Sequence, residues 1–236
     1  MYSEPIERQV VNALEKVPVS PYATVKSGSI SIENTNSFWN AYPSKSYKKN
    51  ELIFRNGNGN KFVYFVSKGL VRVGTEAKDG KQILLFIRGR GDLFGALTPT
   101  TDCQGVFASA MEEGTEVFFV PAFEFQKLLI SNSLLLRSYF EFLGSEIRKR
   151  EQRIEDIMFK SARDRVIVFL RDLAEEKGRR VGFETVIDAH IKHEDIAGLT
   201  TTTRQTVTTV LNELKKAGLI SIDRRRLLIR DLSKLK

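Results

Sequence analysis

An α+β protein is predicted from three observations. Short apolar segments, punctuated by glycine, fill the chain up to about residue 122. The apolar period then becomes helical. The last fifth of the chain is strongly basic. A length of 236 residues suits one large domain or two modest ones, and two is the expectation. At 42% hydrophobic and 28% charged residues the composition is that of a globular chain.

Residues 1–38 are mixed and polar and are read as an N-terminal extension, with a short strand at Ile30–Ile32. Residues 39–130 form the β-domain. Ten of the 16 glycines fall between Gly57 and Gly114, and they separate segments of branched and aromatic residues. These segments are Leu52–Phe54, Phe62–Val66, Leu70–Val73, Ile83–Ile87, Val106–Ala110 and Val117–Val120, read as short antiparallel strands of a closed or sandwiched β-structure. Lys78-Asp79-Gly80-Lys81 is a hairpin turn, because Asp-Gly supplies positive φ. A short helix follows over residues 123–130.

Residues 131–160 carry one long helix, about Ser133 to Phe159, with no Pro and one Gly. Phe140, Leu143, Ile147, Arg150, Ile154 and Ile157 are spaced alternately three and four apart. That is an a/d seam with one polar break, and on so long a helix it points to a partner helix. The competing reading is packing against the chain's own β-domain. After a break at Ser161, Arg163–Lys177 repeats an amphipathic pattern with Val166, Phe169, Leu170 and Leu173 on one face.

Charge and composition narrow the function. The net charge is +8, and residues 191–236 hold ten basic against five acidic side chains. Such an excess favours polyanions. One cysteine, Cys103, excludes an intrachain disulfide framework and four-cysteine metal sites. It is read as an ordinary loop thiol. No histidine precedes His190, which removes the usual metal ligands of a barrel enzyme. Gly89-Arg90-Gly91-Asp92 lacks the Gly-Lys-Ser/Thr ending of a phosphate loop. No apolar run approaches a membrane span, no secretory leader is visible, and a cytoplasmic protein without metal or cofactor is expected.

The basic C-terminal segment carries the motif. In HEDIAGLTTTTRQTVTTVLNELKKAGL, a short helix over about His193–Leu199 turns at Thr200–Thr202 into a second helix over 203–217, stopped by Gly218. On a wheel of about 100° per residue, Arg204, Lys215, Thr208, Asn212, Gln205 and Thr209 fall within about 140°. Val207, Val210, Leu211 and Leu214 fall at about 240–340°. One face packs, and the other presents groups that can read base edges: Arg to guanine, Gln to adenine, Thr by hydroxyl or methyl. An ordinary surface helix would mix acids into that face, and here the helix holds one acid, Glu213. Two short strands around Arg224, Arg225 and Arg226 read as a β-wing that neutralises phosphates.

These segments resemble the Crp/Fnr-type bacterial transcription regulators. HEDIAGL and TTRQTVTTVLNELKKAGLI resemble that family's winged helix-turn-helix. ELIFRNGNGNKFVYFVSKGLVRVG and DGKQILLFIRGRGDLFGAL resemble its cyclic-nucleotide-binding-type β-roll. The resemblance covers about residues 45–232. It implies an antiparallel β-roll of the double-stranded β-helix type, a long dimerisation helix, and a winged helix-turn-helix over 161–236. It further implies a homodimer on double-stranded DNA at an inverted-repeat operator, and RNA polymerase as a partner. Base readers would be Arg204, Gln205 and Thr209 with Thr208 adjacent; Lys192, His193, Thr202, Thr203 and the wing arginines would be further DNA contacts, His193 and the arginines to phosphates. Gln205 and Thr209 depart from the family's common Glu and Arg, so the operator is expected to differ.

The sensor half departs further. The family's nucleotide-binding members place an acid after the glycine and an arginine beyond it. Here Ala96 follows Gly95, the arginine position falls near Gly105–Val106, and no Lys or Arg occurs from Leu97 to Met111. A buried phosphate without a cation carries a heavy desolvation cost, so a cyclic nucleotide is not expected. The expected pocket is Gly95, Ala96, Leu97, Thr98, Val106 and Phe107, closed by Tyr139 or Phe142. It would take a small organic or aromatic effector, or none. The alternative functions are a nonspecific polyanion or membrane-surface binder, which explains the charge but not the polar helix face, and a β-roll enzyme.

Overall fold

The computed structural model describes residues 39, 41–55, 61–76, 82–97, 105–188, 191–223 and 226–235. The N-terminal extension with its strand at 30–32, the turn at 78–81, Thr98, Cys103, His190, Arg224 and Arg225 lie outside the described residues. The chain forms two compact units. One contains residues up to 81 and 87–148, the other 82–86 and 149–236.

Among the described residues, eight strands build the first half: β1 (Ser44–Tyr47), β2 (Leu52–Arg55), β3 (Phe62–Lys68), β4 (Val71–Glu76), β5 (Gln82–Arg88), β6 (Leu93–Gly95), β7 (Val106–Ala110) and β8 (Thr115–Pro121). They pair in two four-stranded sheets, ordered β1-β8-β3-β6 and β2-β7-β4-β5. The six strands expected from the apolar segments are present. β1 and β6 were not legible, because Ser-Lys-Ser-Tyr lacks an apolar period and β6 has three residues.

Alternation along β3 explains why its sequence is almost continuously apolar. Tyr64 turns toward the other sheet, where its ring lies 5.2 Å from Phe54, and it stacks at 5.0 Å on Phe94 of the neighbouring strand β6. Val63 and Phe65 turn the opposite way into a cluster with Trp39, Phe125, Tyr139 and Phe142. A strand buried on both faces has no polar side to show.

Helices α1 (Ala122–Ser131) and α2 (Ser133–Phe159) follow. At 27 residues α2 is about 40 Å long. Leu135, Tyr139 and Phe142, spaced four and three apart, form its buried stripe. Glu146 continues that side and makes a bidentate pair with Arg88 of β5, Nη1 to Oε1 at 2.9 Å, both side chains buried.

The second unit contains α3 (Ala162–Lys177), the hairpin β9 (Arg179–Val181) and β10 (Glu184–Ile187), α4 (His193–Thr200), α5 (Arg204–Lys216), β11 (Ile220–Ile222) and β12 (Leu227–Ile229). Its sheet runs β11-β12-β10-β9. The β9–β10 hairpin was missed by the sequence reading, which ended α3 at the glycines. Its one signal is Gly182, which turns the hairpin at φ +62°. α3 starts on Ser161, whose side chain accepts from Asp164 N. Val166, Leu170 and Leu173 are buried as expected, whereas Phe169 is half-buried and Ile167 and Ala174 complete the stripe.

Candidate nucleic-acid interface

Local rules place the two helices of the motif. α4 ends where Thr201 takes a left-handed conformation, φ 51°, and Thr202 N donates back to Ala197 O at 2.9 Å. A β-branched residue is rare there, and two arginines hold the segment. Arg165 of α3 donates through Nε to Thr200 O at 2.8 Å and through Nη2 to Thr201 O at 2.9 Å. Arg153 of α2 donates through Nη2 to Gly198 O at 2.9 Å. Both guanidiniums sit at the negative end of α4's dipole. Burial pushes the Arg153 guanidinium down from its ordinary value. Neither arginine was identified from the sequence, since nothing in their spacing marks them.

Thr203 caps α5, its hydroxyl accepting from Thr206 N at 3.1 Å. At the other end Gly218 N donates to Lys215 O and Leu219 N to Leu214 O, each at 3.0 Å, with Gly218 at φ +70°. This is the Schellman geometry, which satisfies the last carbonyls. The helix therefore begins one residue later and ends one earlier than the predicted 203–217.

The two faces of α5 separate as the wheel requires. Val207, Val210, Leu211 and Leu214 are buried, and Arg204, Gln205, Thr209, Asn212 and Lys215 are exposed. Thr208 is half-buried. Glu213 faces Arg163 of α3 in an exposed ion pair, Oε2 to Nε 3.4 Å. Arg204 Nη1 lies 3.3 Å from Glu194 Oε1 in an exposed pair, an interaction weak enough for a phosphate or base to displace.

Lys192 and Thr203 are exposed, and His193 and Thr202 are half-buried at the adjacent end of α4 and the turn. His193 Nδ1 lies 2.9 Å from Thr208 Oγ1. At the wing Asp223 N donates to Arg226 O at 3.0 Å, and Arg226 N to Asp223 Oδ1 at 2.8 Å. Arg226 is exposed and lies 3.6 Å from Asp188.

Comparison with known proteins agrees with this layout. Residues 164–236 match the Crp-like helix-turn-helix domain, and residues 44–132 match the cyclic nucleotide-binding domain. The chain belongs to the Crp/Fnr-type family. It is 27% identical over 181 residues to the anaerobic regulatory protein of Bacillus subtilis, covering 76% of each chain. A CooA variant from Carboxydothermus hydrogenoformans is similar in structure, with a TM-score of 0.66 at 27% identity, over 91% of this chain and 96% of that one. FixK2 from Bradyrhizobium japonicum shares the fold, with a TM-score of 0.69 at 23% identity, over 82% and 95% of the two chains. This Crp/Fnr-type protein is a DNA-binding transcription regulator.

The expected effector pocket needs correction. Val106 and Phe107 cannot line one cavity, because neighbours on a strand face opposite ways. Val106 shares a face with Ala108, which pairs with the inward Phe54. Phe107 lies opposite Arg55 and Gly74, on the face that carries the Arg55–Glu76 ion pair. Tyr139 packs edge-on to Phe125 at 5.5 Å in the Trp39 cluster, against which Leu97 also packs. Burial pushes the Tyr139 phenol up to about 12, and its hydroxyl finds no hydrogen-bond partner among the described residues. Gly95 and Ala96 sit at the end of β6. A Cβ on Gly95 would lie 2.5 Å from Phe62 O and 2.7 Å from the Tyr64 ring.

Along the seam of α2, Phe140, Ile147, Ile154 and Ile157 are exposed. Leu143 differs from the expectation, being half-buried against the Trp39 cluster. Arg150 does not simply interrupt the seam: its guanidinium lies 5.0 Å over the Phe86 ring. Met158 and Phe159, which the seam did not include, are also exposed.

Proposed function

We propose that the protein is a homodimer that reads an inverted-repeat operator with α5. The observation that carries this is the division of α5: its four branched aliphatic side chains are buried, while Arg204, Gln205 and Thr209 are exposed along one side. Arg204 would pair with guanine and Gln205 with adenine in the major groove, with Thr209 beside them. Lys192, His193, Thr202, Thr203 and the wing arginines Arg224, Arg225 and Arg226 would hold phosphates. Two such heads would enter successive grooves about 34 Å apart.

Self-association is supported by the exposed stripe Phe140, Ile147, Ile154 and Ile157 on α2. A two-fold axis would bring each stripe against its copy. Relatives being regulators supports a non-enzymatic, cytoplasmic role, with RNA polymerase as a further partner. Among the described residues no helix is long and apolar enough to cross a membrane.

The roll does not fit a cyclic nucleotide. Ala96 is buried and apolar where the acid would stand. The arginines of the second sheet are engaged: Arg55 with Glu76, Arg72 with Ser109, Arg88 with Glu146. A small organic or aromatic effector, or none, is the remaining reading, and any effector would act by biasing the two heads between arrangements.

Selection of duplexes from a randomised library tests the proposal. A preferred inverted repeat, bound about 10³-fold more tightly than random duplex, is the expected result. Equal affinity for all sequences at every salt concentration would instead favour a nonspecific polyanion binder.

A further inference from the structure

The side chain of Thr208 is tied down in a way that restricts what it can read. Its Oγ1 donates to Arg204 O at 2.8 Å. The same oxygen lies 2.9 Å from His193 Nδ1. A threonine hydroxyl has one proton, and a carbonyl can only accept. The proton therefore goes to Arg204 O, and the hydroxyl accepts from His193. It follows that His193 Nδ1 carries a proton, and that α4 and α5 are joined by a donor chain from imidazole to hydroxyl to backbone carbonyl.

With its proton committed, the hydroxyl cannot donate to guanine O6 or N7, to adenine N7 or to thymine O4. Yet Thr208 stands four residues after Arg204 and three after Gln205, within the reading face. What it has left to offer the groove is its methyl group, beside one acceptor lone pair on an oxygen that already serves His193 and Arg204. The major-groove feature that complements a methyl is the C5-methyl of thymine.

We propose that Thr208 is a specificity-determining residue that recognises thymine by methyl contact, while its hydroxyl fixes the His193 ring. This rests on the assignment of α5 as the DNA-reading helix. Arg204, Gln205 and Thr209, unlike Thr208, keep polar groups for hydrogen-bonded readout.

The test uses the full chain on its selected operator, with each thymine replaced in turn by uracil in both half-sites. Uracil lacks only the methyl. Affinities are measured by fluorescence anisotropy for the parent, Thr208→Val and Thr208→Ser. Valine keeps a methyl and removes the hydroxyl; serine does the reverse. One thymine per half-site is expected to matter, its replacement weakening the parent about fourfold per half-site, as expected for one buried methyl. Thr208→Val should keep that thymine-to-uracil ratio, even where loss of the His193 tie lowers affinity for all duplexes alike. Thr208→Ser should bring the ratio close to one. A ratio lost in Thr208→Val and kept in Thr208→Ser would overturn the assignment, as would an operator with no uracil-sensitive thymine. Failure of the protein to prefer any duplex would refute the reading role of α5 itself, and it shows in the selection before uracil is introduced.

Discussion

Replacing Ile147 tests the self-association face of α2. Ile147 is 56% exposed in the single chain. Complete burial of an isoleucine side chain contributes about 1.5–3 kcal/mol. Covering the exposed half should therefore contribute about 1 kcal/mol per protomer, and about 2 kcal/mol per dimer, because a two-fold interface uses each residue twice. Ile147→Ala should raise the dimer dissociation constant about 30-fold, at about 1.4 kcal/mol per factor of ten. Ile147→Asp adds two desolvated carboxylates facing one another, each costing several kcal/mol, and should raise it more than about 10³-fold. Sedimentation velocity across nanomolar to micromolar concentrations measures both, with circular dichroism confirming that the variants are folded. Phe183→Ser is the control: this ring is fully exposed at the tip of the β9–β10 hairpin, and its loss should leave the association unchanged. An Ile147→Asp protein that sediments like the parent at every concentration would refute the assignment of this face.

Four further outcomes are expected. Arg204→Ala should weaken binding to the selected operator by about 1–3 kcal/mol per half-site and relax preference at one base pair, read by competition with single-base operator variants; uniform weakening would make it a phosphate contact. Glu146→Leu leaves the Arg88 guanidinium buried without its carboxylate, and should cost about 3–5 kcal/mol in urea unfolding, with Arg88→Met/Glu146→Leu recovering most of it. Burial holds the Glu124 carboxyl above its ordinary 4.5. A raised acid keeps its full contribution to stability below the ordinary value and loses it as pH climbs through the raised one. Glu124→Gln should therefore melt higher than the parent at pH 7–8, with the gap closing toward pH 4; a gap independent of pH would reject this. Thr201→Gly removes the cost of a β-branched residue at φ 51° and should raise stability by up to about 1 kcal/mol in thermal melts.

Much of the DNA-reading unit could be read from residue order, because its determinants are local. The faces of α5 follow from helix period, its start from Thr203, its stop from Gly218, and the wing from two short strands around a charged turn. Each is set by residues within a few positions of one another. The same holds for the exposed seam of α2, whose spacing survives in the structure at Phe140, Ile147, Ile154 and Ile157. The short strands β1, β6, β9 and β10 were lost, since three or four residues carry no period; β2, β11 and β12 are as short but are marked by their branched apolar residues.

Pairings between distant positions had to wait for the folded chain. That Phe107 turns away from Val106's side, that Tyr139 belongs to the Trp39 cluster, and that Arg150 covers Phe86 depend on strand register and helix packing across tens of residues. Nothing in the spacing of Arg153 and Arg165 marks them, and folding brings them to the carbonyls that end α4. The hydroxyl of Thr208 gave no sign in the sequence that its proton was already taken; that became legible when α4 and α5 met at His193. Residue order thus specifies which groups a helix presents, through short-range backbone geometry. Which of those groups stays available for DNA is decided by hydrogen bonds that only the assembled unit can form.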